Sequence, residues 1–315
     1  MSARLDFLTL QLFVAIVEDQ SISKAAERKN IAASAVSRRI ADIEELFQVD
    51  LLRRHSKGIE PTPAGHALLE HAHIILGNLA HLETELSGYR QGKRGHVRIC
   101  ANKSAILESL APDLSAFLDK QPQVRIDLSE DISPAIVQAV LENRADIGIF
   151  GGNIPAFDLD IIPYKLDTLV VIMPRDHVLA SREGLSFLDL VDHDFVSLEK
   201  GSSIETLCVR AAADIGRHLK LRVRVSSFDA LFRLVEARLG LGLVPFEIAR
   251  HQRMEENVVI VPLQESWAAR PLVMGVRSYR TLRPVTRLLV EHLRMRPEAG
   301  PAEDEPASVS RMPSP

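Results

Sequence analysis

Apolar residues repeat along this chain in several rhythms, and each rhythm predicts a different kind of element. Near the N-terminus Leu10, Phe13, Val14 and Val17 fall at i, i+3, i+4 and i+7, one face of a helix. A polar break after Gln20 leads into Ser23-Lys24-Ala25-Ala26-Glu27, a short second helix with Ser23 as its N-cap. Asn30-Ile31 makes a tight turn. Val36, Ile40, Ile43 and Phe47 then recur at spacings of 4, 3 and 4 as the buried stripe of a third helix. Helix, short helix, turn, helix is a helix-turn-helix arrangement, and the basic segment Leu51 to Pro61 reads as a wing.

Thr62-Pro63 opens a longer helix, Thr as N-cap and Pro at the first helical position. Along it Leu68, Ala72, Ile75, Leu79, Leu82 and Leu86 follow a 4, 3, 4, 3, 4 spacing, the seam of a coiled coil. A helix packed on its own domain is the alternative. Self-association is preferred because Glu70, His71, Gly77, Asn78, His81, Glu83 and Glu85 leave the other faces polar. Gly88, Gly92 and Gly95 end the helix and mark a linker.

Beyond Gly95 the rhythm changes to short apolar strands alternating with helices, which predicts a parallel sheet of βαβ units. Strands are expected at Val97–Ala101, Val124–Leu128, Asp146–Phe150, Leu169–Met173, Phe195–Leu198, Leu221–Val225 and Pro271–Val276. Helices are expected over 105–118 and 135–141, from Ile204, from Asp229 and over 285–293, with a second unit beginning near Pro163. Residues 297–315, rich in Pro, Ser and acids, read as a disordered tail.

At 315 residues the chain holds more than one domain, and 46% hydrophobic with 25% charged residues is ordinary for globular domains. No run of eighteen apolar residues predicts a membrane span, and the N-terminus does not read as a secretory signal, so a reducing cytoplasm is expected. Cys100 and Cys208 make neither a disulfide framework nor a metal cluster, and no cofactor or metal is expected. The net charge of −4 does not favour nucleic acid. Residues 1–62 carry nine Lys/Arg against nine Asp/Glu, so distribution decides. Between Arg28 and Arg39 there are four basic residues and no acid, and Arg53, Arg54, His55 and Lys57 form a second cluster. At 100° per residue, the side of the third helix opposite its core holds Ser34, Arg38, Ala41 and Glu45, flanked by Ser37. Its first half is small, hydroxylated and cationic, the character of a helix that enters a major groove.

The stretch from residue 21 to 65 resembles the N-terminus of LysR-type transcriptional regulators. Leu10, Phe13, Ser21, Ala25-Ala26, Ala35-Val36-Ser37-Arg38, Ile40, Glu44, Leu51, Arg53 or Arg54, Thr62 and Gly65 carry the match. The resemblance implies an all-α winged helix-turn-helix domain over 1–62 and a linker and dimerisation helix over 63–92. A two-lobed α/β effector domain like the periplasmic binding proteins follows over 93–296. Lobe I is expected at about 93–162 and 270–296, lobe II at about 163–269. It implies DNA contacts from Ser21, Ala33, Ser34, Ser37, Arg38, Arg39, Arg53 and Arg54. Partners implied are double-stranded DNA, a second or further copy of the chain as homodimer or homotetramer, a small-molecule effector and, for an activator, RNA polymerase. The chain departs from the family pattern at Ala32-Ala33, where Ser or Thr followed by Gln is common, and at Lys29, where an apolar residue is usual. The departures bear on which operator is read.

The same resemblance places an effector between the lobes, against Asn102-Lys103-Ser104, Gly201-Ser202-Ser203 and Phe228-Asp229. Ser202 with Glu205 makes a capping box, and helix N-termini beside Lys103 favour an anion, hence a carboxylate metabolite. Serines that simply cap helices are the bland alternative. Two other functions stay open: a thiol-based redox sensor using Cys100 or Cys208, and an α/β enzyme, for which no nucleophile and base stand at a recognised spacing.

Overall fold

The computed structural model describes residues 5–55, 58–90, 95–156, 158–252 and 257–294. The predicted tail and the end of the linker, residues 91–92, fall outside these, as does Lys57.

Helices α1 (Phe7–Asp19), α2 (Ile22–Arg28) and α3 (Ala33–Phe47) pack around Leu12, Phe13, Ile16, Val36, Ile40 and Ile43, all buried. Fully burying side chains of this size stabilises by about 1.5–3 kcal/mol each before ordering entropy is subtracted. Two expectations fail here. The cap of α2 is Ser21, whose hydroxyl accepts from Lys24 N, and Ser23 lies inside the helix. Phe47, the last stripe residue, is exposed because Gln48 ends the helix in the left-handed region. The turn between α2 and α3 uses Asn30 at φ +52°, a conformation Asn tolerates. The wing is a hairpin of β1 (Leu52–His55) and β2 (Gly58–Pro61) in antiparallel register. Glu44 anchors it to α3 by accepting from Leu51 N at 2.8 Å and Leu52 N at 3.2 Å.

Thr62 caps α4 (Pro63–Arg90) through Gly65 N at 3.1 Å, as its sequence predicts. The predicted seam divides. Ala72 is fully buried against Leu10 and Val14 of α1, with Leu68 beside it, so the first half of the seam holds the chain's own domain together. Ile75, Leu82 and Leu86 are exposed.

The second half is a mixed sheet, not the parallel one expected. Strands β3 (His96–Ala101), β4 (Arg125–Glu130) and β5 (Ile147–Gly151) are parallel, with α5 (Lys103–Ala105), a π turn (Ile106–Leu110), α6 (Ala111–Lys120) and α7 (Ser133–Leu141) between them. Then β6 (Asp160–Pro174) runs 15 residues without a break. Its first part pairs antiparallel with β11 (Ala269–Val276), its second with β9 (Gly242–Pro245) and β10 (Val258–Pro262). The exchange of partners falls at Thr168/Leu169, inside one strand, where no turn residue could announce it. Lobe II adds α8 (Phe187–Leu190), β7 (Asp194–Leu198), α9 (Ser203–Asp214), β8 (Lys220–Val225), α10 (Phe228–Glu236) and α11 (Phe246–His251). The pair β7–β8 is parallel. Helix α12 (Pro284–Arg294) returns to lobe I. Each lobe has its own apolar core, centred on Ile99, Ile147 and Met274 in one and on Leu169, Phe195 and Leu231 in the other.

Candidate functional site

The first surface is built on α3. Val36, Ile40 and Ile43 face the core, which turns Ala33, Ser34 and Arg38 outward and leaves Ser37 on the flank. Arg38, Arg53 and Arg54 are exposed, and among the described residues none makes an ion pair. Small residues beside an uncommitted guanidinium let a helix approach base edges while the cation reaches guanine or phosphate. Ala32 stands at the N-cap with no side-chain bond, so no side chain caps the first turn, and Ala35 N there donates to the Ala32 carbonyl at 2.9 Å. Arg39 does something else. Its Nη1 donates to Asp6 Oδ2 at 2.9 Å and to Thr9 Oγ1 at 3.0 Å, tying α3 to the N-cap of α1. The Asp6 carboxyl is held below its usual range, first by the Thr9 amide and hydroxyl and then by Arg39. Arg39 is therefore a brace in this structure, and Ser21 a half-buried helix cap.

The second surface lies between the lobes. Asn102, Ser104 and Ser133 come from lobe I, and Ser202 and Ser203 from lobe II, around a slot of about 30 Å³, room for roughly one water. Asn102 caps α5 by accepting from Ala105 N at 2.9 Å, and its Nδ2 is buried without a partner. Ser202 caps α9 through Glu205 N at 3.2 Å. The expected capping box is only half present, because Glu205 instead accepts from Gly201 N at 3.3 Å and from Arg224. Gly201 needs glycine for its φ of +87°. Lys103 does not offer free charge. It pairs with Glu130 at 3.0 Å and with Glu199 of the other lobe at 3.2 Å, a strap across the cleft mouth.

Sequence reasoning missed the group beneath the slot. Arg270 on β11 is 2% exposed and opposite Asp167 on β6 in the strand register. Its Nε donates to Asp167 Oδ2 at 2.6 Å, Nη1 to Ser203 Oγ at 2.7 Å and Nη2 to Ser104 Oγ at 2.9 Å. Since both hydroxyl oxygens accept from the guanidinium, their own protons are free to donate elsewhere. The signal was present: Asp167 precedes the apolar run Leu169–Met173 and Arg270 the run Leu272–Val276, and charges entering buried strands must be paired. Glu108, on the π turn, stands near this pair with Oε1 buried and unpartnered. Burial, then the Asp167 charge, push its carboxyl up to about 8.

Beside the slot and sharing Lys103 is a wider chamber of about 420 Å³, floored by Leu107, Phe228 and Ile248 and rimmed by Glu130, Asp229 and Glu247. Phe228 is 3% exposed and belongs mostly to the lobe II core, while Asp229 is exposed and accepts from Gln252 Nε2 at 2.5 Å. Neither thiol lines the slot or the chamber. Cys100 and Cys208 lie buried in separate cores, and burial raises both, Cys208 up to about 12, against the thiolate that oxidation chemistry requires. Among the described residues no metal-ligating cluster occurs and no helix is long and apolar enough to cross a membrane.

Known proteins share this arrangement. Residues 7–66 match the family described as bacterial regulatory helix-turn-helix protein, lysR family, and residues 90–297 match the LysR substrate binding domain. The HTH-type transcriptional regulator CysL of Bacillus subtilis is 27% identical over 264 residues, 84% of this chain and 88% of that protein. AlsR of the same organism, also an HTH-type transcriptional regulator, is 27% identical over 238 residues, 75% of this chain and 79% of that one. The crystal structure of CbnR, a LysR family transcriptional regulator, superposes with a TM-score of 0.65 at 20% identity, covering 92% of this chain and 98% of that one. Full-length BenM gives 0.55 at 26% identity over 92% and 96%. With both halves matched in order, the chain belongs to the LysR family of transcriptional regulators.

Proposed function

We propose that this regulator reads double-stranded DNA with α3 and its wing, pairs through α4 into a homodimer or homotetramer, and is switched by a small carboxylate between its lobes. RNA polymerase is its further partner where it activates. The observation that carries the DNA assignment is the outward N-terminal half of α3, where Ala33, Ser34 and the unpaired Arg38 stand clear of the core. Ser37, Arg53 and Arg54 flank that face, the two arginines as phosphate contacts from the wing. The exposed Ile75, Leu82 and Leu86 support pairing through α4. Titrating the full chain with duplex from upstream of its own gene, at two salt concentrations, tests the assignment. A sequence preference riding on a steep salt dependence is expected, and equal affinity for a scrambled duplex would refute it.

For the effector, the carrying observation is Asn102, whose Nδ2 is a buried donor without a partner and which lines the slot together with Ser202 and Ser203 at the N-terminus of α9. Ser104, Ser202 and Ser203 add hydroxyl donors, and nothing in the slot itself is a free cation, so a single carboxylate suits it better than a polyanion. The acidic rim of the wider chamber suits a body that is neutral or cationic. A ligand touching both lobes favours one lobe orientation, and that difference in affinity is all that can bias DNA binding. Asn102→Asp keeps the cap on Ala105 and replaces the donor by an acceptor. It should retain operator binding and lose the response to carboxylates, read by calorimetry and a reporter together.

A further inference from the structure

Away from the lobe interface, a third cavity of about 170 Å³ lies where lobe I meets the linker helix. Its walls come from Asn78 of α4, the start of β3, the turn before β5 and the connection from β11 into α12. Three arginines converge there against one acid. Arg98 donates to Asp146 Oδ1 at 2.9 Å and Arg283 to Oδ2 at 3.0 Å, so the carboxylate is already held from two sides. Burial opposes that charge, yet the two arginines keep the Asp146 carboxyl below its usual range. The third, Arg277, is exposed and has no ion pair among the described residues. The local balance is thus two positive charges in excess.

The base of the cavity shows a second, independent feature. Thr286 lines it, is 1% exposed, and its Oγ1 has no hydrogen-bond partner. A buried hydroxyl left without a partner is unfavourable in an isolated protein. It lies in the first turn of α12, an 11-residue helix whose leading amides have no acceptor within the helix. Guanidinium forks, a buried hydroxyl and a helix N-terminus are together the donor set of a phosphoryl group.

We propose that this cavity is a second ligand site, taking a compact phosphoryl dianion through Arg277, Arg283 and Thr286. It differs from the inter-lobe slot in charge, in the residues that form it and in what it touches. Asn143, on its wall, is hydrogen-bonded to Asn78 of α4, and its backbone oxygen would sit 2.9 Å from a Cβ added to Gly77. An occupant therefore presses on the joint between linker helix and effector domain, a second input to the same DNA-binding unit.

The test is calorimetry on the full chain in chloride buffer at constant ionic strength, with inorganic phosphate and glycerol phosphate as separate probes. One saturable site per chain is expected. Arg277→Ala should weaken it about tenfold or more, the loss of a charge-assisted hydrogen bond. Thr286→Val should weaken it several-fold while the melting temperature without phosphate holds or rises, because the variant removes only an unsatisfied hydroxyl. A stronger response to glycerol phosphate assigns an organic phosphate and an equal one free phosphate, and either sustains the site. Absence of saturable binding overturns the proposal. So does unchanged affinity in both variants, or a loss in Ser202→Ala as large as in Arg277→Ala, which would put the ion between the lobes.

Discussion

Arg38 and Arg39 are neighbours of one type with opposite commitments. Arg38 projects from α3 unpaired, whereas Arg39 is bonded to Asp6 and Thr9. Arg38→Ala should therefore cost about 1–3 kcal/mol of operator affinity, if it reads a base, with thermal stability unchanged. Arg39→Ala should cost about 0.5–1 kcal/mol of stability, since its pair is half exposed. Quantitative binding and urea titrations separate the two, and a reversed pattern would exchange their roles. Nothing in the sequence distinguishes them beyond one residue of helical phase. Glu108 makes a pH prediction at the same scale. Folding raises its carboxyl from 4.5 to about 8, so the native state holds a proton that the unfolded chain gives up. Stability should then be highest below 4.5 on this group's account and fall as pH rises toward 8. Glu108→Gln should flatten that slope and stabilise the protein at pH 8 by on the order of 2 kcal/mol. A slope unchanged by the substitution would assign it to other groups.

Among elements, α4 was the one whose periodicity said most and meant two things. A 4-3-4 spacing identifies an apolar stripe but not what covers it. Ala72 covers α1 of its own chain, and Ile75, Leu82 and Leu86 remain exposed. The two halves should respond differently to charge. Leu82→Asp leaves the chain's own cores intact and should dissociate the assembly, seen by light scattering, with loss of most operator affinity. Ala72→Asp should instead unfold the N-terminal domain, seen as lost helical circular dichroism. An intact oligomer in the first variant would require another interface. The helix-turn-helix was legible because its stripe and turn are local, although the cap of α2 is Ser21 and not Ser23 and Phe47 falls outside the buried stripe. The mixed sheet was not. Leu169–Met173 reads as an apolar strand in isolation, and its antiparallel pairing with β10 depends on residues over eighty positions later. Short helices such as α8 and α11 escaped because four to six residues span little more than one helical turn, too few for the period to repeat.

For the whole molecule, the cleft residues were readable as loops before helices, while the group that links them pairs two strands about a hundred residues apart, a partnership that the charges entering apolar runs hint at but do not name. Arg270 joins Ser104 of one lobe, Ser203 of the other and Asp167 on the strand between. Removing only one partner leaves a buried charge, so Arg270→Met should cost about 3–5 kcal/mol. Pairing it with Asp167→Leu should recover most of that in urea titrations, and failure to recover would mean that the hydroxyl contacts matter more than the ion pair.

The unbroken β6 also decides how the effector domain comes apart. Two separate cores would ordinarily melt as two events. Here one strand supplies both sheets, paired to β11 up to Thr168 and to β9 and β10 from Leu169 onward. Disordering either half frays the strand the other half is built on. Scanning calorimetry should record a single endotherm for both lobes, and a carboxylate bound between them should shift it as a whole. The same continuity leaves proteases no loop at that crossing to cut, so limited digestion should release the N-terminal domain while both lobes stay in one fragment.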